Sequence, residues 1–348
     1  MIEEKKLDGF LVSSKSNVTY LSNFTGDSSL LMVTPGRIIL LTDGRYTEQA
    51  ASECHRDIQI FKWINNERYG IKTYQHLTNE LSIKRLGIEG HIITFSTFKM
   101  LEDGLKNVEL VSLDGIIEKL RQIKDLEEID CIKTACRISV EGLKNTIPFV
   151  KAGISEMELA ARLEFNLKTC GADNVSFETI VLSGQRTSLL HGKPGNRKLE
   201  KRDFILVDFG ALYKGYHADI SRTFVLGKPD SMQKELYEII QKAQMSAILS
   251  IKPGISCRKP DEKVRENIPE KYISYYYPGM GHGVGLDIHE EPFLGQSFDA
   301  LLSENMVVTI EPGIYIPDWG GLRIEDTVLI AENSAEILTN LPRELIIL

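Results

Sequence analysis

Four apolar, strand-like runs of this sequence each carry an acidic residue at or within their apolar part: Asp208, Asp219, Glu311 and Glu325. A buried carboxylate without a partner is costly, and its pKa rises until the group becomes neutral. Taken singly, each could be a strand-end residue that faces solvent or pairs with an arginine. Four carboxylates in one cluster would repel one another without a compensating cation, so clustering implies a metal site.

A histidine surrounded by glycines offers a nitrogen ligand for the same site. His282 lies in GHGVGLDIHEEP (281–292), between Gly281 and Gly283. Glycine weakens a strand and persists where something must approach the backbone closely. A lone histidine is more often a satisfied core residue, but beside this carboxylate set it indicates a ligand.

The donor set indicates which ions could bind. Oxygen ligands with one imidazole suit Mn²⁺, Co²⁺, Fe²⁺ or Zn²⁺. Five protein ligands exceed what a single catalytic zinc usually takes. Two ions bridged by carboxylates and a water fit the set better.

The elements that must position these residues fall into two predicted domains, 1–124 and 125–348. Strands at 7–14 and 85–90, and a hairpin at 28–46 with its turn at Pro35-Gly36, alternate with helices in the first domain. This alternation predicts an α/β layered domain. Residues 121–150 carry apolar side chains at helical spacing, so a long amphipathic helix is expected after the boundary near residue 124.

The second domain contains an internal repeat. KAGIS (151–155) and KPGIS (252–256) each fit a helix end with glycine at the stop, followed by a serine that can cap the next helix. The repeat predicts a duplicated unit, and duplicated domains commonly place a site where their halves meet. The stretches 304–316 and 320–330 are each expected to form one strand with its glutamate inside.

Composition narrows the class of protein. The chain has 348 residues, 42% of them hydrophobic, which suggests two folded domains rather than a disordered chain. A net charge of −8 argues against nucleic acid as the main partner. No run is long and apolar enough to cross a bilayer, and the N-terminus lacks the apolar core of a signal peptide. We therefore expect a cytoplasmic protein with neither nucleic-acid nor membrane partners.

The five candidate ligands and their surrounding motifs VDFG, GHGVGL-xx-HEEP, TIEPGIY and RIEDT resemble the creatinase/prolidase/aminopeptidase P family. The segment LVSS…NVTYLSNFTG (11–26) resembles the start of that family's small domain, and the resemblance runs over nearly the whole chain. It implies an α/β N-terminal domain and an α+β pita-bread catalytic domain with an internal pseudo-two-fold duplication. The chain looks most like a bacterial Xaa-Pro dipeptidase or Xaa-Pro aminopeptidase.

The resemblance also implies roles for individual residues. Asp208 would bind one metal, His282 and Glu311 would bind the other, and Asp219 and Glu325 would bridge the pair. The remaining roles in catalysis would fall to four side chains: Glu311 as proton acceptor for the bridging water, His289 at the substrate carbonyl or the developing negative charge, His191 holding substrate, and Arg323 orienting a ligand. For Arg323, an ordinary surface salt bridge is an equal alternative.

The implied function is a dinuclear exopeptidase that cleaves the N-terminal Xaa-Pro bond by attack of a metal-bridged hydroxide. Its ions would be Mn or Co, with Zn or Fe possible, and its substrate a short peptide with proline at position 2. A homodimer is expected. Dipeptidase and aminopeptidase P activities cannot be separated by these residues.

Two departures from the family pattern bear on substrate preference. Pro278 stands where the family often carries a histidine, and Leu190 precedes His191 where a proline is usual. A non-catalytic pita-bread binding protein is one alternative, for which Pro278 is the best argument. Another hydrolase of the fold is the other, although creatinase-like enzymes work without metal and a methionine aminopeptidase would not need the N-terminal domain.

Overall fold

The computed structural model describes residues 2, 4–67, 69–277 and 279–348. It contains two compact units, Met1–Leu120 and Arg121–Leu348. The predicted boundary near residue 124 stays a prediction. All five cysteines are free thiols. Among the helices of the described residues, none has both the length and the apolarity to cross a membrane.

The first unit is built on a six-stranded sheet of order β4-β3-β2-β1-β5-β6. Its strands are β1 (Gly9–Val12), β2 (Ser29–Val33), β3 (Ile38–Thr42), β4 (Ile58–Lys62), β5 (Arg85–Ile88) and β6 (Glu109–Ser112). Its helices are α1 (Lys15–Ser22), α2 (Thr47–Glu53), α3 (Ile71–Glu80), α4 (Phe95–Gly104) and α5 (Ile116–Arg121), of which the last residue, Arg121, belongs to the second unit. The predicted hairpin is confirmed as the antiparallel pair β2–β3.

Both faces of this sheet are covered, because alternate residues of one strand enter different apolar clusters. Leu11 of β1 packs in one cluster, and its neighbours Phe10 and Val12 pack in another. The strands therefore read as continuous apolar runs, as expected of sheets buried on both sides.

The second unit begins with the predicted long helix. Its helices are α6 (Leu126–Thr146), α7 (Glu156–Thr169), α8 (Ser231–Ser250), α9 (Lys259–Arg265) and α10 (Glu270–Ile273). Asp125 and Glu128 form a reciprocal capping box that sets the start of α6. The buried residues of α6 include Ile132, Ala135 and Leu143, so its apolar stripe faces the core.

Antiparallel sheets make up the rest of the second unit. In chain order the strands are β7 (Asn174–Val175), β8 (Ile180–Ser183), β9 (Phe204–Phe209), β10 (Ala211–Tyr213), β11 (Tyr216–His217), β12 (Ile220–Val225), β13 (Gly281–Gly283), β14 (Glu290–Leu294), β15 (Val307–Ile310), β16 (Gly313–Ile316), β17 (Gly320–Arg323), β18 (Asp326–Ile330) and β19 (Ala335–Ile337). They form sheets of order β12-β9-β8, β14-β13-β15-β18-β19, β16-β17 and β11-β10-β7.

The two stretches predicted as single strands are each two strands in different sheets, so that prediction is wrong. The β15–β18 pairing ends at Ile310↔Asp326, and the β16–β17 pairing begins at Gly313↔Arg323. The chain changes sheet at 311–312 and again at 324–325. Pro312, which has no N–H to donate to a ladder, ends the first stretch of pairing. Glu311 and Glu325 therefore lie at breaks between strands rather than inside them.

The internal repeat reappears in the backbone hydrogen bonds. Gly153 and Gly254 have φ values of +90° and +86°. Their N–H groups donate to Leu199 O at 2.9 Å and to Leu302 O at 2.8 Å, respectively. Each repeat thus places its glycine turn against an equivalent extended segment, as a duplicated unit requires.

The two serines of the repeat differ. Ser155 caps α7 through a capping box with Glu158, as predicted. The predicted cap by Ser256 is wrong, because α9 begins at Lys259 and its N-cap residue is Arg258. Pro260 in the first turn of α9 favours this later start, since its fixed φ suits the beginning of a helix.

Candidate metal centre

A small cavity in the second unit brings all of the predicted site residues together. Its volume is about 140 Å³, and its polar wall is formed by His191, Asp208, Asp219, His282, His289, Glu311, Arg323 and Glu325. Phe177, Ile180 and Ile288 form an apolar wall. A wider groove of about 930 Å³, beside Phe149 and Phe165, includes no part of this cluster.

Adjacent strands position three of the four carboxylates. Asp208 of β9 lies directly opposite Ser221 of β12, and Asp219 comes one residue before β12 begins. The Glu325 N–H donates to Ser221 O at 3.1 Å, and the Ser221 hydroxyl donates to Glu325 Oε2 at 2.7 Å. Ser221 therefore joins the break at Glu325 to the β9–β12 pair. Glu311 reaches the same cavity from the end of β15, where its N–H donates to Met280 O at 2.9 Å.

The glycines around His282 allow neighbouring backbone to approach closely. A Cβ at Gly281 would lie 2.0 Å from Thr309 O, and one at Gly283 would lie 2.4 Å from Glu291 O. Real Cβ atoms do not approach carbonyl oxygens this closely, so glycine is needed at both positions. Strand β13 can therefore pack between β14 and β15 with His282 facing the cavity.

The backbone around His282 also orients its imidazole. Nδ1 lies 3.0 Å from Gly283 O, and since a carbonyl oxygen only accepts, this contact assigns the proton to Nδ1. Nε2 is left with a lone pair for a ligand. It lies 3.6 Å from Asp219 Oδ2 and 3.4 Å from Glu311 Oε1.

The donor atoms are close enough to share a cation. Asp219, His282 and Glu325 each offer one ligand atom, and these atoms lie within 4.8 Å of one another. Within the described part of the chain, Asp208 Oδ1 and Glu325 Oε1 are buried without a hydrogen-bond partner. Such orphaned acceptors are rare in proteins and indicate an unseen partner. The residues present fit a divalent metal.

The pKa values of the clustered side chains also indicate a site for a cation. Burial, reinforced by the neighbouring carboxylates, raises the pKa values of Asp219 and Glu325 well above their ordinary range. Burial also raises the pKa of Glu311 to about 7. The pKa of His282 is lowered by burial. Without a cation this cavity therefore resists full ionisation of its acids.

Arg323 is buried, so the alternative of a surface salt bridge is wrong. Its guanidinium forms an ion pair with Asp208 and donates to Ser221 Oγ at 2.8 Å and to Tyr315 Oη at 2.6 Å. Sequence reasoning missed Ser221 and Tyr315. The signal for Ser221 was its spacing: it lies two residues after Asp219, and alternate residues of an extended segment face the same side.

The other histidines lie at the same cavity. The rings of His282 and His289 are 4.3 Å apart between centroids, at 69° to each other. Burial lowers the pKa of His289, and the neighbouring His282 lowers it further. His191 follows the short 3₁₀ helix Gly184–Ser188 and is exposed. Pro278 lies outside the described residues.

Comparison with known proteins identifies the family of the chain. Residues 130–332 match the model of metallopeptidase family M24, and residues 1–123 match the creatinase/prolidase N-terminal domain. The uncharacterized peptidase YqhT of Bacillus subtilis is 40% identical over 98% of this chain and 96% of its own length.

Two solved structures cover all of this chain. A Xaa-Pro dipeptidase from Bacillus anthracis is 37% identical and superimposes with a TM-score of 0.95 over 97% of its chain. An X-Pro aminopeptidase from Thermotoga maritima is 36% identical, with a TM-score of 0.92 over 97% of its chain. The fold class expected from the sequence is confirmed, and the chain belongs to metallopeptidase family M24, with a creatinase/prolidase-type N-terminal domain.

Proposed function

We propose that this protein is a dinuclear metal-dependent exopeptidase that hydrolyses the bond between an N-terminal residue and a following proline. The convergence of five donor side chains on one cavity is the observation that carries the proposal. Solved relatives named for Xaa-Pro dipeptidase and X-Pro aminopeptidase activity support the choice of substrate class.

The ligands would be Asp208, Asp219, His282, Glu311 and Glu325, with Mn²⁺ or Co²⁺ as the preferred ions and Zn²⁺ or Fe²⁺ as alternatives. When bound, two such ions polarise a carbonyl and make water a stronger nucleophile at neutral pH. The orphaned oxygens of Asp208 and Glu325 support this assignment. The family resemblance further leads us to propose a homodimeric, cytoplasmic enzyme.

The chain's own residues supply the proton transfer. Glu311 accepts the proton of the attacking water and passes it to the leaving nitrogen. A carboxylate in the wall of the cavity is one of the side chains that serve as general bases. The leaving nitrogen of a proline belongs to a tertiary amide and needs this proton before it can depart.

The remaining side chains bind and orient the substrate. His289 and His191 contact the carbonyl oxygen as negative charge develops there. The apolar wall of Phe177, Ile180 and Ile288 provides a surface suited to a pyrrolidine ring. Arg323 holds Asp208 in place and is a positioning residue.

The decisive experiment incubates metal-depleted protein with Mn²⁺, Co²⁺ or Zn²⁺ and offers Xaa-Pro dipeptides, Xaa-Pro-Yaa tripeptides and Met-Ala-Ser in parallel. Turnover of dipeptides alone identifies a dipeptidase, and turnover of tripeptides identifies an aminopeptidase P. Cleavage of Met-Ala-Ser alone would contradict the proline requirement. Absence of turnover with every metal would favour a non-catalytic binding protein.

A further inference from the structure

The loop that carries His289 ends at a buried ionic cluster. Glu290 begins strand β14 directly after His289, and its carboxylate is almost fully buried. Oε2 accepts from Arg121 Nη2 at 2.5 Å, and Oε1 accepts from Lys124 Nζ at 2.7 Å. The side chains of Arg121 and Lys124 are only 3% and 1% exposed. Two cations from the segment before α6 therefore hold one carboxylate next to the cavity.

This cluster is poorly explained by stability alone. Burying two cations with a carboxylate carries a desolvation cost that their attraction often only offsets, and well-packed apolar residues are commonly as stable. The ion pairs do fix the orientation of the Glu290 carboxylate, because each of its oxygens accepts from a different cation. They therefore also fix the backbone of the loop at this residue.

The path of the loop is fixed on both sides of His289. Gly285 leaves room for the carboxylate, since a Cβ there would lie 2.5 Å from Glu290 Oε1. The His217 N–H donates to Gly285 O at 2.9 Å. Arg121 also holds Asp287, at 2.7 Å. Anchors thus precede His289 at Gly285 and Asp287 and follow it at Glu290.

We propose that Glu290, held by Arg121 and Lys124, is a positioning residue that keeps the His289 imidazole against His282 at the cavity. Glu290 is not part of the cavity wall described above, so it acts through His289 and not by touching substrate. The inference rests on the proposed function, in which His289 contacts the substrate.

The first test is a double-mutant cycle with Mn²⁺-loaded protein. Glu290→Gln preserves size and removes the charge. It should lower kcat about tenfold, as loss of a supporting contact commonly does, and change the Kd for Mn²⁺ less than about twofold. In a His289→Ala background the same substitution should cause no further loss beyond about twofold. An equal loss in both backgrounds, or no loss in either, would overturn the proposal.

A second pair of variants distinguishes the effect of this cluster on kcat from the effect of removing any lysine charge. Lys124→Met removes one of the two donors to the Glu290 carboxylate and should lower kcat, as Glu290→Gln does. The matched control is Lys133→Met in α6, where the lysine pairs with Glu336 and both side chains are about half exposed. Equal kcat values for the two lysine variants would contradict a role for the cluster.

A measurement independent of turnover distinguishes failure of this inference from failure of the proposed function. In metal-free protein labelled with ¹⁵N-histidine, Glu290→Gln should broaden the His289 ring signals, while those of His191 keep their line shape. Unchanged His289 signals would overturn the positioning role even if the enzyme is active. Broadened signals in a protein with no turnover would uphold the positioning and reject the peptidase.

Discussion

The guanidinium of Arg323 forms a buried ion pair with the carboxylate of Asp208 and also donates to Ser221, whose hydroxyl donates to Glu325. One arginine therefore connects two of the proposed metal ligands, Asp208 on β9 and Glu325 at the break between β17 and β18. Such supporting contacts orient ligands and tune their affinity for metal.

Replacing Arg323 by lysine should weaken Mn²⁺ binding about 10- to 100-fold, the range typical for loss of a supporting contact. An ammonium group cannot reproduce the planar, forked geometry that reaches Asp208, Ser221 and Tyr315 together. Titration calorimetry on metal-depleted protein measures the effect. Arg197→Lys, at a partly exposed pair with Asp203, is the control and should leave the Kd unchanged. Equal affinities for wild type and Arg323→Lys would reject the role.

Glu311→Gln should reduce kcat by at least about 100-fold, because an amide cannot accept the proton of the attacking water. Since Glu311 is also a proposed ligand, metal content must be measured on the same sample by elemental analysis. Glu304→Gln, at an exposed residue a few positions earlier, is the control and should retain wild-type kcat. A Glu311→Gln variant with bound metal and a near-normal rate would remove the base assignment.

The effect of metal on stability should depend on pH in a defined direction. In the unfolded chain Asp and Glu have pKa values of about 4, whereas burial raises the pKa of Glu311 in the folded protein to about 7 and also raises those of Asp219 and Glu325. The folded, metal-free site thus binds protons more tightly than the unfolded chain. These groups make the free energy of unfolding fall as pH rises between about 4 and about 7.

Divalent ions compete with these protons, so their stabilising effect should grow over the same pH range. We expect Mn²⁺ to raise Tm more at about pH 8 than at about pH 5.5. Differential scanning calorimetry with and without metal provides the measurement. Glu325→Gln should reduce the difference between the two pH values. An increase in Tm that is the same at both would contradict the pKa assignments.

Gly281→Ala should lower the free energy of unfolding by about 1 to 3 kcal/mol, the usual cost of overpacking. The added Cβ would meet Thr309 O at 2.0 Å, and a backbone carbonyl can move away only if the strands separate. Gly195→Ala is a matched control, because its nearest contact would be an ordinary 3.5 Å. Urea unfolding measures the free energy of unfolding of both variants. A Gly281→Ala variant as stable as Gly195→Ala would contradict the prediction.

The two halves of the internal repeat should respond differently to loss of their serines. Ser155→Ala removes a helix cap and should cost about 1 kcal/mol. Ser256 does not cap α9, and its hydroxyl accepts a long hydrogen bond of 3.3 Å from the Arg258 N–H, so Ser256→Ala should cost less. Equal losses in denaturant unfolding would show that the structural difference has no energetic consequence.

The sequence by itself determined several local elements and pointed to the candidate site residues. The start of α6 and the hairpin at Pro35-Gly36 depend on capping and turn preferences that act over a few residues. The candidate ligands were recognisable because carboxylates in apolar runs conflict with their surroundings, and because their motifs resemble a known family.

The tertiary structure decided how these residues are arranged. Glu311 and Glu325 lie where the chain changes sheets, and no local pattern separates such a break from a continuous strand. The ion-pair partners of Arg323 and Glu290 are distant in sequence: Asp208 is 115 positions from Arg323, and Arg121 is 169 positions from Glu290. Capping, turn and alternation signals report only on near neighbours, whereas ion pairing depends on which strands and segments lie side by side after folding.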